Sequence, residues 1–171
     1  MGRRRLACAV AVVLAFSVAF AGARIGRPAP ELAGETIAHR DISLAQLKGK
    51  VVVVQFWASW CASCVDGLPR LQKLYDRYAG DGLEILSVSL DEDPRALRRM
   101  VAEREIGWQQ LCDGRGFASP LARRWDVNSI PRYFVIDREG KLAAKNVRPS
   151  KLAETVNQAL APAGAASEGA P

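Results

Sequence analysis

The chain has 171 residues, 49% of them hydrophobic and 25% charged, which suits one ordinary domain with additions and excludes a disordered chain. Its 24 Lys+Arg against 18 Asp+Glu give a formal charge of +6, but Arg3, Arg4 and Arg5 supply three of the basic residues and no acid lies within residues 1–23. The remainder has a small basic surplus and no basic run, so no nucleic-acid partner is expected.

Residues 1–23 read as an export signal. A basic start is followed by an apolar run from Leu6 to Phe20, broken only by Ser17, and then by the small residues Ala19, Ala21, Gly22 and Ala23. Cleavage is expected after Ala21 or Ala23. Retention as a membrane anchor is the alternative, although a span needs roughly 20 apolar residues and this run sits at the low end. Cys8 does not follow the apolar run, as a lipidated cysteine would. The body is therefore expected in the periplasm or another extracytoplasmic space, where disulfides are permitted.

Residues 24–50 form an N-terminal extension. Gly26-Arg27-Pro28-Ala29-Pro30 is extended, Glu31 to Ile42 suits a small hairpin about Ala33-Gly34, and Ser43 to Leu47 suits one helical turn. Val51 to Trp57 is a continuous apolar, β-branched run, the mark of a strand covered on both faces. A helix is predicted over Ala62 to Ala79, with Val65, Leu68, Leu71 or Gln72, Tyr75 and Tyr78 on its apolar side and a kink at Pro69. Further strands are predicted at Leu83–Leu90, Trp108–Cys112, Arg132–Ile136 and Lys141–Val147. Helices are predicted from Pro94 to about Glu105, over Ser119–Trp125 and over Ser150–Leu160, and residues 161–171 form a low-complexity tail. Alternating strands and helices imply an α/β fold with a largely parallel sheet between helices and an antiparallel edge at the 137–140 turn.

Chemistry concentrates in Trp60-Cys61-Ala62-Ser63-Cys64, between the buried strand and its helix. Two cysteines three apart at a helix start lie on one turn, close enough to bridge. The open N–H groups of the first turn stabilise a thiolate at the first position, and the thiolate is the attacking species in thiol–disulfide exchange. Cys61 is thus the candidate nucleophile and Cys64 the resolving cysteine. A zinc site lacks further ligands, since the chain has one His, His39, far away; covalent haem lacks a His after Cys64. A bridge closing so short a loop would also be a poor structural staple. Asp91, Glu92 and Asp93 suit helix capping better than metal binding. Cys112 reads as a partly buried free thiol.

The segment VVVQFWASWCASCVDGLP at 52–69, the lead-in Gly26 to Leu32, the run Ser43 to Lys50 and IPRYFVID at 130–137 with Gly140 together resemble the TlpA/ResA-like thiol–disulfide oxidoreductases of the thioredoxin superfamily. The resemblance covers about residues 26–160 and implies a thioredoxin-like domain over 51–160, with a mixed, mostly parallel sheet and an N-terminal hairpin. It implies that Pro131 is a cis-proline facing the dithiol, that the Ile130 backbone beside it pairs with an extended substrate, and that Trp60 faces that substrate. Trp57 either flanks the dithiol or belongs to the core. The resemblance further implies an enzyme without cofactor or metal. It would reduce disulfide-containing exported proteins, such as those of cytochrome c maturation, with electrons from a membrane thiol donor. Contact with the membrane itself would arise only through an uncleaved N-terminal segment.

Two departures stand out. Relatives keep an acid six residues before the first cysteine or three after the second; here these positions are Gln55 and Gly67. Asp66 either substitutes or is a solvated helix residue. Two other activities fit the residues less well. A thiol peroxidase would carry Thr or Ser where Ala58 stands, and a copper-binding module of this fold would add a distant His and space its cysteines differently.

Overall fold

All seven residues of Val51–Trp57 are buried in a computed structural model of the protein, which describes residues 23–162. The readings for residues 1–22 and 163–171, the export segment and most of the tail, lie outside the described residues. The strands are β1 (Ala33–Glu35), β2 (Asp41–Ser43), β3 (Val51–Trp57), β4 (Leu83–Ser89), β5 (Gln109–Cys112), β6 (Arg132–Ile136) and β7 (Leu142–Lys145). The α-helices are α1 (Ala62–Tyr78), α2 (Pro94–Glu103), α3 (Pro120–Arg124) and α4 (Leu152–Leu160).

Strands β3 to β7 form one mixed sheet in the order β5-β4-β3-β6-β7, and β1 pairs with β2 as an antiparallel hairpin. β3 runs parallel to β4, and β4 to β5; β6 is antiparallel to both β3 and β7. The antiparallel part therefore begins one strand earlier than the sequence pattern suggests. The five residues of α3 span only about 8 Å, too little to carry the chain back along the sheet, so β6 re-enters from the end at which β3 leaves.

The hairpin is present, but its turn lies at residues 36–40 rather than at Ala33-Gly34. There Thr36 N–H donates to the Arg40 carbonyl at 2.8 Å, and His39 takes a φ of 57°. Gly34 lies within β1, where Leu111 Cδ2 stands 3.5 Å from the place its Cβ would occupy. That is ordinary van der Waals contact, so a side chain at this position would rest against Leu111.

The extension seals both flanks of the sheet. At the β7 side Gly26 N–H donates to the Leu142 carbonyl (2.8 Å) and Leu142 N–H to Arg27 (2.9 Å). At the β5 side Ile37 N–H donates to the Gln110 carbonyl (2.9 Å), and Thr36 bridges Leu111. Unpaired strand edges invite association, and covering them removes that hazard.

Side chains alternate across a strand, so Gln55 and Phe56 face opposite layers. Phe56 meets Phe134 and Trp125 with ring centroids 5.9 and 6.0 Å apart, forming the core beneath α3. The Gln55 side is covered by α1 and α4. Helix α1 buries Cys64, Leu68, Leu71 and Leu74; Val65, Tyr75 and Tyr78, which the periodicity also pointed inward, lie at its margins. It runs on through Pro69 to Tyr78, and a 3-10 turn over Ala79–Asp81 follows, closed by Gly82 with a φ of 94°.

Candidate active site

The end of β3 delivers the chain into a short loop, Ala58-Ser59-Trp60, and then into α1 with Cys61 as its N-cap. Cys61 and Cys64 are joined as a disulfide with Cα atoms 5.2 Å apart. The Cys61 sulfur accepts the Cys64 N–H at 3.3 Å and lies 3.6 Å from the Ser63 hydroxyl. Cys61 is 8% exposed and Cys64 not at all. A thiolate released at Cys61 would therefore meet a helix-terminal N–H at once, while Cys64 stays inside the packed face of α1.

A buried carboxylate holds this loop, and the sequence pattern did not reveal it. Asp91, 2% exposed, accepts the Ser59 N–H (3.0 Å) and the Ser59 hydroxyl (2.6 Å), and also the Ser89 hydroxyl. The Leu90 N–H donates to the Trp57 carbonyl at 2.8 Å, tying the same two segments together. Of the three consecutive acids, Asp93 does cap α2 through the Arg95 N–H, whereas Asp91 anchors the residue two before Cys61. Only tertiary structure brings Ser59 and Asp91 into contact.

Trp60 is 60% exposed and packs against Phe117, with ring centroids 6.4 Å apart. The pair borders a groove of about 350 Å³ whose other wall includes Glu92 and Asp93. Phe117 belongs to the 107–119 stretch, which also holds β5. Trp57 is core: it is fully buried, and its indole N–H donates to Gln110 Oε1 at 3.1 Å. The Ile130–Pro131 bond is cis, both residues are half-buried, and the β3–β6 register sets them beside the end of β3 from which the dithiol loop departs.

Beneath α1 lies a polar row across four strands. Gln110, Ser87, Gln55 and Tyr133 are successive register partners and all are buried. Ser87 hydroxyl donates to Gln55 Oε1 at 2.8 Å and accepts the Trp108 indole N–H at 2.8 Å. Gln55 Nε2 has no partner. Burial pushes the Tyr133 hydroxyl above the ordinary phenol range, with the facing Gln55 amide pulling the other way. Asp66 is exposed, which leaves it a solvated helix residue. Cys112 is a free, half-buried thiol whose sulfur donates to the Asp91 carbonyl at 3.4 Å; burial pushes it up. His39 pairs with Glu35 in the exposed hairpin turn, remote in sequence from both cysteines. Among the described residues no helix is long and apolar enough to cross a membrane.

Comparison with known proteins gives one consistent answer. The model of the AhpC/TSA family matches residues 25–145. A thiol-disulfide oxidoreductase ResA of Bacillus cereus is 30% identical over 122 residues, covering 71% of this chain and 69% of that protein. The ResA of Bacillus subtilis is 28% identical over 140 residues, covering 80% and 76%. Among solved structures, the thioredoxin domain of a thiol-disulfide oxidoreductase from Bacteroides vulgatus superposes with a TM-score of 0.74 at 28% identity, covering 81% of this chain and 99% of that one. A thiol:disulfide interchange protein from Chlorobium tepidum gives 0.70 at 26% identity, covering 82% and 100%.

Proposed function

This chain belongs to the AhpC/TSA family and is a thiol–disulfide oxidoreductase; from that premise we propose that it acts outside the cytoplasm as a reductase of disulfides in exported proteins, with Cys61 as nucleophile and Cys64 as resolving cysteine. The observation that carries the assignment of roles is the asymmetry of the pair: Cys61 alone reaches the surface, at a helix start, and Cys64 is sealed beneath it.

In the reduced protein the Cys61 thiolate attacks one sulfur of a client disulfide. A mixed disulfide forms, and the first client thiolate leaves with the electron pair. Cys64 then attacks the Cys61 sulfur, the second client thiolate leaves, and the client has gained two electrons while the protein has gained its disulfide. The client lies extended beside the Ile130 backbone and Pro131, with an apolar side chain against Trp60. A membrane thiol donor returns the electrons. The export pattern of residues 1–23 supports the compartment, and proteins awaiting covalent haem, whose cysteines must be reduced, suit the client class.

The test uses two variants. Cys61→Ser should abolish reduction of insulin disulfides. Cys64→Ser should retain clients on Cys61 as mixed disulfides that mass spectrometry can identify. Undiminished insulin reduction by Cys61→Ser would overturn the assignment. A thiol peroxidase of the same family would instead consume peroxide rapidly on stopped-flow mixing.

A further inference from the structure

Resolution of the mixed disulfide requires that Cys64, wholly buried, lose its proton in a place that solvent does not reach. The strand carboxylate that meets α1, Glu84, takes the Tyr75 hydroxyl eleven residues beyond Cys64, and the polar row of Gln110, Ser87, Gln55 and Tyr133 holds no carboxylate. Three features single out the last two. Gln55 has its oxygen fixed by the Ser87 hydroxyl on the β4 side, so its unpartnered Nε2 is left for the β6 side, where Tyr133 is its register partner. The Tyr133 hydroxyl reaches α1 at Gly67, one turn beyond Cys64, and stands 3.3 Å from the position a Cβ would take there. A side chain at 67 would crowd this seat. The same hydroxyl-bearing residue lines a cavity of about 410 Å³ between α1 and α4, so it touches both the packed interior and a route to solvent.

Resting on the dithiol roles assigned above, we propose that the Tyr133 hydroxyl carries the proton of Cys64, with Gln55 orienting it. As the Cys61–Cys64 bond forms, the Cys64 S–H bond breaks and its proton passes through one bridging water to the phenol oxygen. The phenol proton passes to water in the cavity, and the Cys61–client bond breaks with its electron pair on the client thiolate. Gln55 Nε2 donates to the phenol oxygen during the exchange. The reverse sequence returns the proton when the disulfide is reduced. The charged groups lining the cavity are Arg70 and Lys73 of α1, both exposed; the part contributed by α4 and the turn before it, Pro149, Ser150, Leu152 and Ala153, is uncharged, as are Gln55 and Ser87 from the strands.

The test is single-turnover quench-flow with the reduced full chain and a synthetic disulfide peptide, which resolves mixed-disulfide formation from its resolution. Tyr133→Phe should leave the first step unchanged and slow resolution by about 100-fold at neutral pH. The deficit should shrink as pH rises and hydroxide takes over, and the solvent deuterium effect on resolution should fall toward one. 3-Fluorotyrosine at position 133, which keeps the shape with a more acidic phenol, should move the pH profile of resolution downward. Equal slowing of both steps, or an unchanged resolution profile in either variant, overturns the proposal. If the parent protein forms no mixed disulfide at Cys61, the assignment of Cys61 as nucleophile fails instead.

Discussion

Replacing Asp91 by Ala measures how firmly the dithiol loop is held. The carboxylate accepts three donors: the N–H and hydroxyl of Ser59 and the hydroxyl of Ser89. Hydrogen bonds to a charged group contribute about 1.5–3 kcal/mol each, and an orphaned buried partner costs about 1–3 kcal/mol. Ser59 is half-buried and can recover water, so its two bonds count at the low end, while Ser89 is 1% exposed and counts at the high end. Because the three share one acceptor, the sum is less than additive, and a loss of about 3–5 kcal/mol is expected. For a domain of this size that lowers the melting temperature by on the order of 10 °C. Asp91→Asn, which keeps the shape and one acceptor, should lose about half as much. Urea unfolding of the oxidised protein at neutral pH reads both values. A loss below about 1 kcal/mol for Asp91→Ala would refute the view that this carboxylate anchors the loop.

Two further outcomes follow from exposure and burial. Trp60→Ala should change the free energy of unfolding by no more than about 0.5 kcal/mol, because the ring is largely in solvent. It should weaken client reduction through KM more than kcat, as steady-state kinetics with a disulfide peptide would reveal; a change in kcat alone would remove Trp60 from the docking surface. Desolvation holds the Cys112 thiol above its ordinary range, so the folded protein keeps this proton where the unfolded chain releases it. Stability from this group is then present at neutral pH and falls as pH climbs through and beyond the ordinary thiol range. Iodoacetamide titration of Cys112 in a Cys61→Ser, Cys64→Ser background should place its reactivity at higher pH than that of a free thiol, and a profile matching the free thiol would contradict the burial argument.

Much of this arrangement is written in local pattern. Val51–Trp57 and Arg132–Ile136 have the bounds their apolar runs indicate, because a strand buried on both faces needs no periodicity to be recognised. The dithiol is equally legible, since the cysteine spacing and the strand-to-helix junction carry it. What escapes is what register decides. Gln55 reads from sequence as a lost acid; only the pairing of β3 with β4 and β6 shows it joined to Ser87 and facing Tyr133. Asp91 reads as one of three capping acids until folding brings Ser59 to it. Ala33-Gly34 reads as a turn because small residues serve turns, whereas pairing of Ala33 with Ser43 and of Gly34 with Ile42 places both in β1.

The hydrogen bonds that residues 26–37 make to β7 and β5 change what a minimal catalytic unit means in this molecule. The lead-in behaves like a gasket: it occupies the two borders along which a guest peptide or a second copy could otherwise be annexed as an extra ribbon. The stretch that precedes the thioredoxin-like body thus takes up hydrogen-bonding positions on both edges that an added ribbon would need.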